Sequence, residues 1–392
     1  MTDKIRVGVI FGGRSSEHEV SLTSAACVLD AIDKSKYDVV PIGITKAGQW
    51  LVGEDVLQLL ASPSLQLTNE KSGALLQSSF FNEAKKVSLL PVPGEAGLVC
   101  LEPKKHGMEV SGAVGHLDVV FPVLHGTYGE DGAIQGLMEL SDLPYVGAGI
   151  TGSAVAMDKA MAKAVLAASG FPQLPYVTIL RSHWEKSPIA VQDEIEASIG
   201  YPCFVKPASL GSSVGISKVR RRDELQAALV EAALYDRKIV VEKDAGNVRE
   251  IECSVLGNED PVASIPGEII PSRDFYDYVA KYHDSDSQLI IPARLSPAAT
   301  KEVQELAVAA FKALDCAGMA RVDFFVDKDT ERVHINEINT IPGFTPISMY
   351  PKLWEASGLS YAELIDELIR LALDRHRDKR RNVTSFSPQQ HK

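Results

Sequence analysis

Residues 5–11 form a short apolar run that stops at Gly12-Gly13, and residues 20–32 then carry apolar side chains at helical spacing. With a second apolar run at 37–44, the pattern predicts strand, glycine turn, helix and strand, a βαβ unit opening a parallel sheet. Between about 45 and 115 the pattern breaks into short apolar pieces separated by Ser, Pro and Gly, which predicts hairpins and loops inserted into this first domain. Order returns with a strand at 118–124, a polar loop and an amphipathic helix near 133–140. Residues 152–168 are Ala-rich, end at Gly170 and are followed by Pro172 and Pro175, so one helix with a glycine stop is expected.

A second domain then reads as strand 176–180, helix, strand 203–206, a Gly/Ser loop, strand 214–219, helix 223–234 and strand 239–243, ending at a hinge over 244–247. The third stretch holds a strand at 250–256, an irregular segment at 271–287 and a helix capped by Ser296 with Pro297 in its first turn. Paired strands at 320–326 and 333–339 follow, and Ser360 with Glu363 forms a capping box for a last helix. The expected domains are 1–147, including the insertion at about 45–115, then 148–245 and 246–375, with a frayed, disordered tail at 376–392.

Composition narrows the class. At about 150 residues per domain, 392 residues imply two or three domains. Hydrophobic residues at 45% and charged residues at 23% exclude whole-chain disorder, collagen and a membrane bundle. The net charge of -12 disfavours a nucleic-acid binder, because a phosphate backbone selects for a basic face. No apolar run approaches the ~18 residues that span a bilayer, so no membrane partner is expected. Five cysteines without a Cys-x-x-Cys pair predict reduced thiols and a cytoplasmic location.

The paired strands near the carboxyl end carry the most informative chemistry. Arg321 and Asp323 lie two apart on one strand, and Glu337 and Asn339 two apart on the other, so each pair shares a face. If the register joins those faces, Asp323, Glu337 and Asn339 offer hard oxygen ligands for Mg²⁺ on nucleotide phosphates, with Arg321 beside an anionic centre. A solvated hairpin face with one salt bridge would carry the same residues. Residues 206–215, a basic Gly/Ser loop between strands, could bring backbone amides close to phosphate oxygens, although they lack the Gly-Lys-Ser/Thr of a Walker loop. Residues 12–19 occupy the first strand-to-helix turn without a dinucleotide glycine spacing, and residues 125–132 put His125 and two carboxylates on a glycine-loosened loop. An ordinary structural turn accounts for each of these alone.

In order along the chain, GGRSSEHEVS, HGTYGEDG, MDK, FVKPASLGSSVGISKV, EK, REIE, FYDYVAKY, ARVDFF and NEINTIPGFT resemble the D-alanine-D-alanine ligase family of the ATP-grasp superfamily. The resemblance runs from about residue 5 to residue 375. It implies an α/β, ATP-grasp protein of three domains, an amino-terminal βαβ domain followed by two α+β domains that clasp ATP. The implied reaction joins two D-alanine molecules through a D-alanyl phosphate, for peptidoglycan precursor synthesis, in a cytoplasmic homodimer.

By the same resemblance Lys159 and Lys206 contact phosphates with Ser213 nearby, and Glu242 with the backbone around Lys243 and Ala245 forms the adenine hinge. Glu250 takes the ribose hydroxyls, and Lys281 reaches the γ-phosphate from a lid at 271–287. Asp323, Glu337 and Asn339 hold two Mg²⁺ ions, for which Mn²⁺ can stand in. Glu17 anchors the first D-alanine's ammonium beside His125, and Ser212 and Tyr282 bond to Glu17 to close the site. Arg321 and the Gly343 amide are oxyanion donors, and Ser348 and Met349 hold the second D-alanine's carboxylate. Four alternatives compete: a D-alanine-D-lactate ligase, an ATP-grasp carboxylase component, a nicotinamide-dependent dehydrogenase and a noncatalytic nucleotide sensor. Tyr282 favours the amine nucleophile, because depsipeptide ligases in the resemblance lack that tyrosine.

Overall fold

A computed structural model describes residues 4–53, 55–62, 84–94, 97–104, 107–270 and 288–383. The opening pattern folds as expected: β1 (Ile5–Gly12), α1 (His18–Ala31) and β2 (Tyr37–Ile44) make a βαβ unit with β1 parallel to β2. Gly12 ends β1 at φ +88°, and a Cβ there would lie 2.2 Å from the Ile44 carbonyl oxygen, so only glycine lets the chain turn this close to the neighbouring strand. The insertion adds β3 (Trp50–Val52), α2 (Val56–Ala61), β4 (Lys85–Leu89), β5 (Gly97–Lys104) and β6 (Gly107–His116). These strands extend the same sheet antiparallel, and β7 (Val119–Val123) closes its other side parallel to β1. The amphipathic helix α3 (Ala133–Leu140) has the predicted bounds.

The single helix expected at 152–168 is two: α4 (Ile150–Met157) and α5 (Lys159–Ala168). Asp158 breaks them apart with ψ 98°, and its side chain accepts the Ala160 and Met161 N–H groups at 3.1 Å, capping the second. Lys159 is thereby fixed at the first position of α5. A four-stranded antiparallel sheet follows, from β8 (Tyr176–Leu180), β9 (Cys203–Pro207), β10 (Ser217–Val219) and β11 (Lys238–Lys243), flanked by α6 (Arg181–Lys186), α7 (Pro188–Ser198) and α8 (Arg222–Tyr235). The strand expected at 214–219 shortens to β10, because Ser212, Ser213 and Gly215 take positive φ values of 51°, 58° and 70° that no strand can continue through.

The third sheet contains β12 (Val248–Gly257), β13 (Val262–Ala263), β14 (Gly267–Ile270), β15 (Gln288–Ile290), β16 (Gly318–Asp327) and β17 (Val333–Asn339), backed by α9 (Pro297–Ala313). Ser296 caps α9 and Ser360 and Glu363 form the capping box, both as read from sequence. Between β17 and that box lies α10 (Met349–Ala356). The last helix, α11 (Tyr361–Lys379), corrects the frayed-tail expectation over 376–379. His376 lies 2.9 Å from Asp142, just beyond α3, and Lys379 pairs with Glu139 of α3, so both carboxylates tie down the last turns of α11. Residues 384–392, and the segment 271–287 with Lys281 and Tyr282, lie outside the described residues.

Packing ties the three sheets into one body. Leu364, Ile365 and Leu368 of α11 share a core with Val9, Phe11 and Phe121 of the first sheet and with Met319, Phe344 and Tyr350. Ala156, Ala162 and Leu166 of α4 and α5 pack against Ile251, Ala320 and Phe324 of the third sheet, while Ala160 faces Ala208 and Val240 of the second. The loops leaving β1, β7, β9 and β17 therefore meet at one place.

Candidate active site

The first wall of that meeting place is Glu17, which opens α1 and is buried. The Ser212 hydroxyl donates to Glu17 Oε1. A Cβ on either Gly126 or Gly211 would lie 2.6 Å from Glu17 Oε2, so two glycines let two loops close on this carboxylate. Next to it His125 is fixed by a chain of bonds. The Ile341 carbonyl can only accept, so His125 Nδ1 donates to it at 2.9 Å; Nε2 then accepts from the Ser24 hydroxyl at 3.0 Å, and Ser24 Oγ accepts the Phe344 N–H at 3.2 Å. Burial lowers the imidazole's pKa, and the ring is neutral near pH 7.

Glu130 is a residue the sequence reading left unassigned. Its carboxylate accepts the Gly126 N–H at 2.7 Å and the Ile341 N–H at 3.0 Å, stitching the His125 loop to the segment after β17. Burial, and then the nearby charge of Glu17, raise its pKa.

The paired strands meet in the register the hairpin argument requires. Arg321 stands opposite Asn339 and Asp323 opposite Glu337, with a bulge immediately after Asp323. Arg321 Nε–H donates to Asp323 Oδ1 at 2.7 Å and its terminal amine donates to Oδ2 at 2.6 Å. Glu337 lies 3.4 Å from Lys159 Nζ. The Asn339 Oδ1 is buried without a hydrogen-bond donor among the described residues, on the strand face it shares with Glu337. That set suits a hard cation, which takes oxygen ligands. Among the described residues no cluster of three or more His, Cys, Asp and Glu side chains forms, so such a cation would take two carboxylates and this amide.

Beyond β17, a Cβ on Gly343 would come within 2.6 Å of Ser348 Oγ, which itself accepts the Thr345 N–H at 3.0 Å. Met349 begins α10 and packs on Ile269. Glu17, His125, Lys159, Ser212, Arg321, Glu337, Asn339, Gly343, Ser348 and Met349 thus line one cavity.

The remaining assigned residues follow the second sheet toward the third. Lys206 on β9 donates to Glu242 Oε2 at 2.6 Å, and Lys163, one turn after Lys159 on α5, donates to Oε1. Burial opposes the Glu242 charge, yet Lys206 and Lys163 outweigh it and hold the carboxyl below its ordinary range. The Lys243 N–H is bonded to the Pro175 carbonyl at 2.9 Å, and Ala245 is half-buried in the loop beyond. Glu250 pairs with Ile269 and Phe325 on neighbouring strands, and Ser213 is half-buried beside Ser212. None of these six lines the cavity. Sequence reasoning missed Lys163 and Glu252; a helical turn from Lys159 and a two-residue step from Glu250 were the available signals.

The D-ala D-ala ligase N-terminus model matches residues 6–148 and the D-ala D-ala ligase C-terminus model residues 165–370. The chain belongs to the D-alanine-D-alanine ligase family. A D-alanine--D-alanine ligase of Heliobacterium modesticaldum is 50% identical over 98% of this chain and 99% of its own. The solved D-alanine-D-alanine ligase of Coxiella burnetii is 39% identical with a TM-score of 0.78, covering 97% of each chain. The VanG D-Ala:D-Ser ligase of Enterococcus faecalis is 35% identical with a TM-score of 0.79, covering 94% of this chain and all of that one. The three-sheet α/β body is the ATP-grasp fold of the D-alanine-D-alanine ligase family.

Proposed function

We propose that the protein joins two molecules of D-alanine at the expense of ATP, forming D-alanyl-D-alanine, ADP and phosphate for peptidoglycan precursor synthesis. The observation that carries this reading is the convergence of Glu17, Arg321 and the Gly343 amide on one cavity that Lys159 also reaches. A carboxylate does not condense with an amine unaided. The first D-alanine's carboxylate oxygen therefore takes the γ-phosphoryl group as the bond to ADP breaks, giving an acyl phosphate. The second D-alanine's amine attacks the acyl carbon, loses a proton and expels phosphate.

In this reading Glu17 holds the first ammonium, with neutral His125 beside it and Ser212 fixing the carboxylate. Lys159 and Lys206 neutralise phosphate charge, with Ser213 nearby. Glu242 and the backbone at Lys243 and Ala245 receive the adenine, and Glu250 the ribose. Arg321 and the Gly343 amide face the oxyanion of the tetrahedral intermediate, where preorganised donors act most strongly. Ser348 and Met349 receive the second carboxylate. Asp323, Glu337 and Asn339 would hold two Mg²⁺ ions, or Mn²⁺; when bound, such a cation supplies charge neutralisation to the phosphates. Lys281 and Tyr282 keep the roles that the family resemblance implies.

Heavy oxygen placed in the carboxylate of D-alanine tests the pathway. One labelled oxygen should appear in the released phosphate; unlabelled phosphate would refute the acyl phosphate. The likeness to a D-Ala:D-Ser ligase favours one second reading, a hydroxylated second substrate, which product analysis with D-alanine, D-serine and D-lactate supplied together decides. A cytoplasmic homodimer completes the proposal. Five unpaired thiols support the location, and sedimentation velocity tests the dimer.

A further inference from the structure

Asp323 carries two duties that compete. Both of its oxygens accept from Arg321, at 2.7 and 2.6 Å, yet the same oxygens are the ones a cation shared with Glu337 and Asn339 would use. A carboxylate drawn toward a divalent ion gives up part of its hold on a guanidinium, and the ion repels that guanidinium besides. Arg321 is half-buried, its side chain 14% exposed, and faces the cavity, so leaving it without a compensating charge is costly.

A second carboxylate stands where it is needed. β12 pairs with β16 so that Glu252 lies opposite Asp323, and Glu252 Oε2 is 3.1 Å from Arg321 Nε, on the side away from β17. Glu252 is itself buried and lines the same cavity. We infer that Glu252 is a positioning residue that keeps Arg321 paired and aimed at the cavity when Asp323 turns toward a divalent cation. The inference rests on the cation and oxyanion roles proposed above. Its consequence is that cation affinity depends on a residue that is not itself assigned as a ligand. Without Glu252 the ion must break the Arg321–Asp323 pair with no second carboxylate in ion-pair contact with that guanidinium among the described residues.

The test is Mn²⁺ binding to the full-length protein with ADP, read from the paramagnetic resonance of free Mn²⁺, in wild type, Glu252→Gln and Glu252→Asp. Aspartate keeps the charge but is one methylene too short to hold Arg321. Both variants should therefore weaken Mn²⁺ binding by about tenfold, or about 1.4 kcal/mol. Removing the competitor should abolish the effect: in an Arg321→Met background, Glu252→Gln should leave Mn²⁺ affinity unchanged, which also covers a Glu252→Gln protein that folds poorly alone. Wild-type affinity in Glu252→Asp with weakening only in Glu252→Gln would mean that the charge alone matters and would overturn the inference, as would wild-type affinity in both. A wild-type complex that binds no Mn²⁺ would overturn the cation reading itself.

Discussion

The Ser212 hydroxyl donates to the Glu17 carboxylate across 195 residues of chain, locking the Gly/Ser loop of the second sheet onto the strand-to-helix turn of the first. Ser212 makes this contact from a backbone at φ +51°. Ser212→Ala should remove the donor while leaving the loop in place. Since a hydrogen bond to a charged group contributes about 1.5–3 kcal/mol, kcat/KM for D-alanine should fall by at least tenfold. The unfolding temperature should change little by comparison. Unchanged kcat/KM would mean that the bond only braces the loops.

Glu337 faces Asp323 across the strand pair and approaches Lys159, yet contributes nothing to the apolar core. Glu337→Gln should lower turnover by orders of magnitude with the thermal transition nearly unchanged. Near-normal turnover would return these strands to a solvated hairpin face.

Glu242 neutralises two lysines at once, Lys163 and Lys206, all three buried. Removing one member of a buried ion pair typically costs about 3–5 kcal/mol. Glu242→Gln should therefore lower stability in urea by at least the smaller figure, whereas Lys163→Met, which leaves the Lys206–Glu242 pair, should cost less. Equal losses in the two variants would show that Lys163 is as necessary as the carboxylate.

Burial, followed by the charge of Glu17, raises the Glu130 pKa above its ordinary 4.5. The folded state then binds the proton more tightly than the unfolded state. The stability this contributes is complete below pH 4.5 and lost as pH rises through the raised folded value. Glu130→Gln should flatten the decline of unfolding free energy across that window, measured by denaturant titration at each pH. An unaltered slope would place the titration elsewhere.

What the sequence could disclose depended on distance along the chain. Arg321, Asp323, Glu337 and Asn339 were readable because strand alternation sets their faces and a short hairpin sets their register. The contact of Glu252 with Arg321 was not, since β12 joins β16 only after a long intervening stretch that no local pattern encodes. The Lys163–Glu242 contact spans 79 residues, and α11 finds its core on the first sheet although its amphipathic pattern names no partner. The break at Asp158 is different: the capping residue was visible, but an unbroken alanine-rich run concealed it.

The proposed chemistry is an ATP-driven ligation at the cavity bounded by Glu17 and Arg321. Phosphate release from ATP, followed with D-alanine varied and the products counted by mass spectrometry, tests it most directly. Release should require D-alanine, with one phosphate and one D-alanyl-D-alanine formed per ATP consumed. Release indifferent to D-alanine, or a mixed product in preference to the D-alanine dipeptide when both acceptors are supplied, would contradict it.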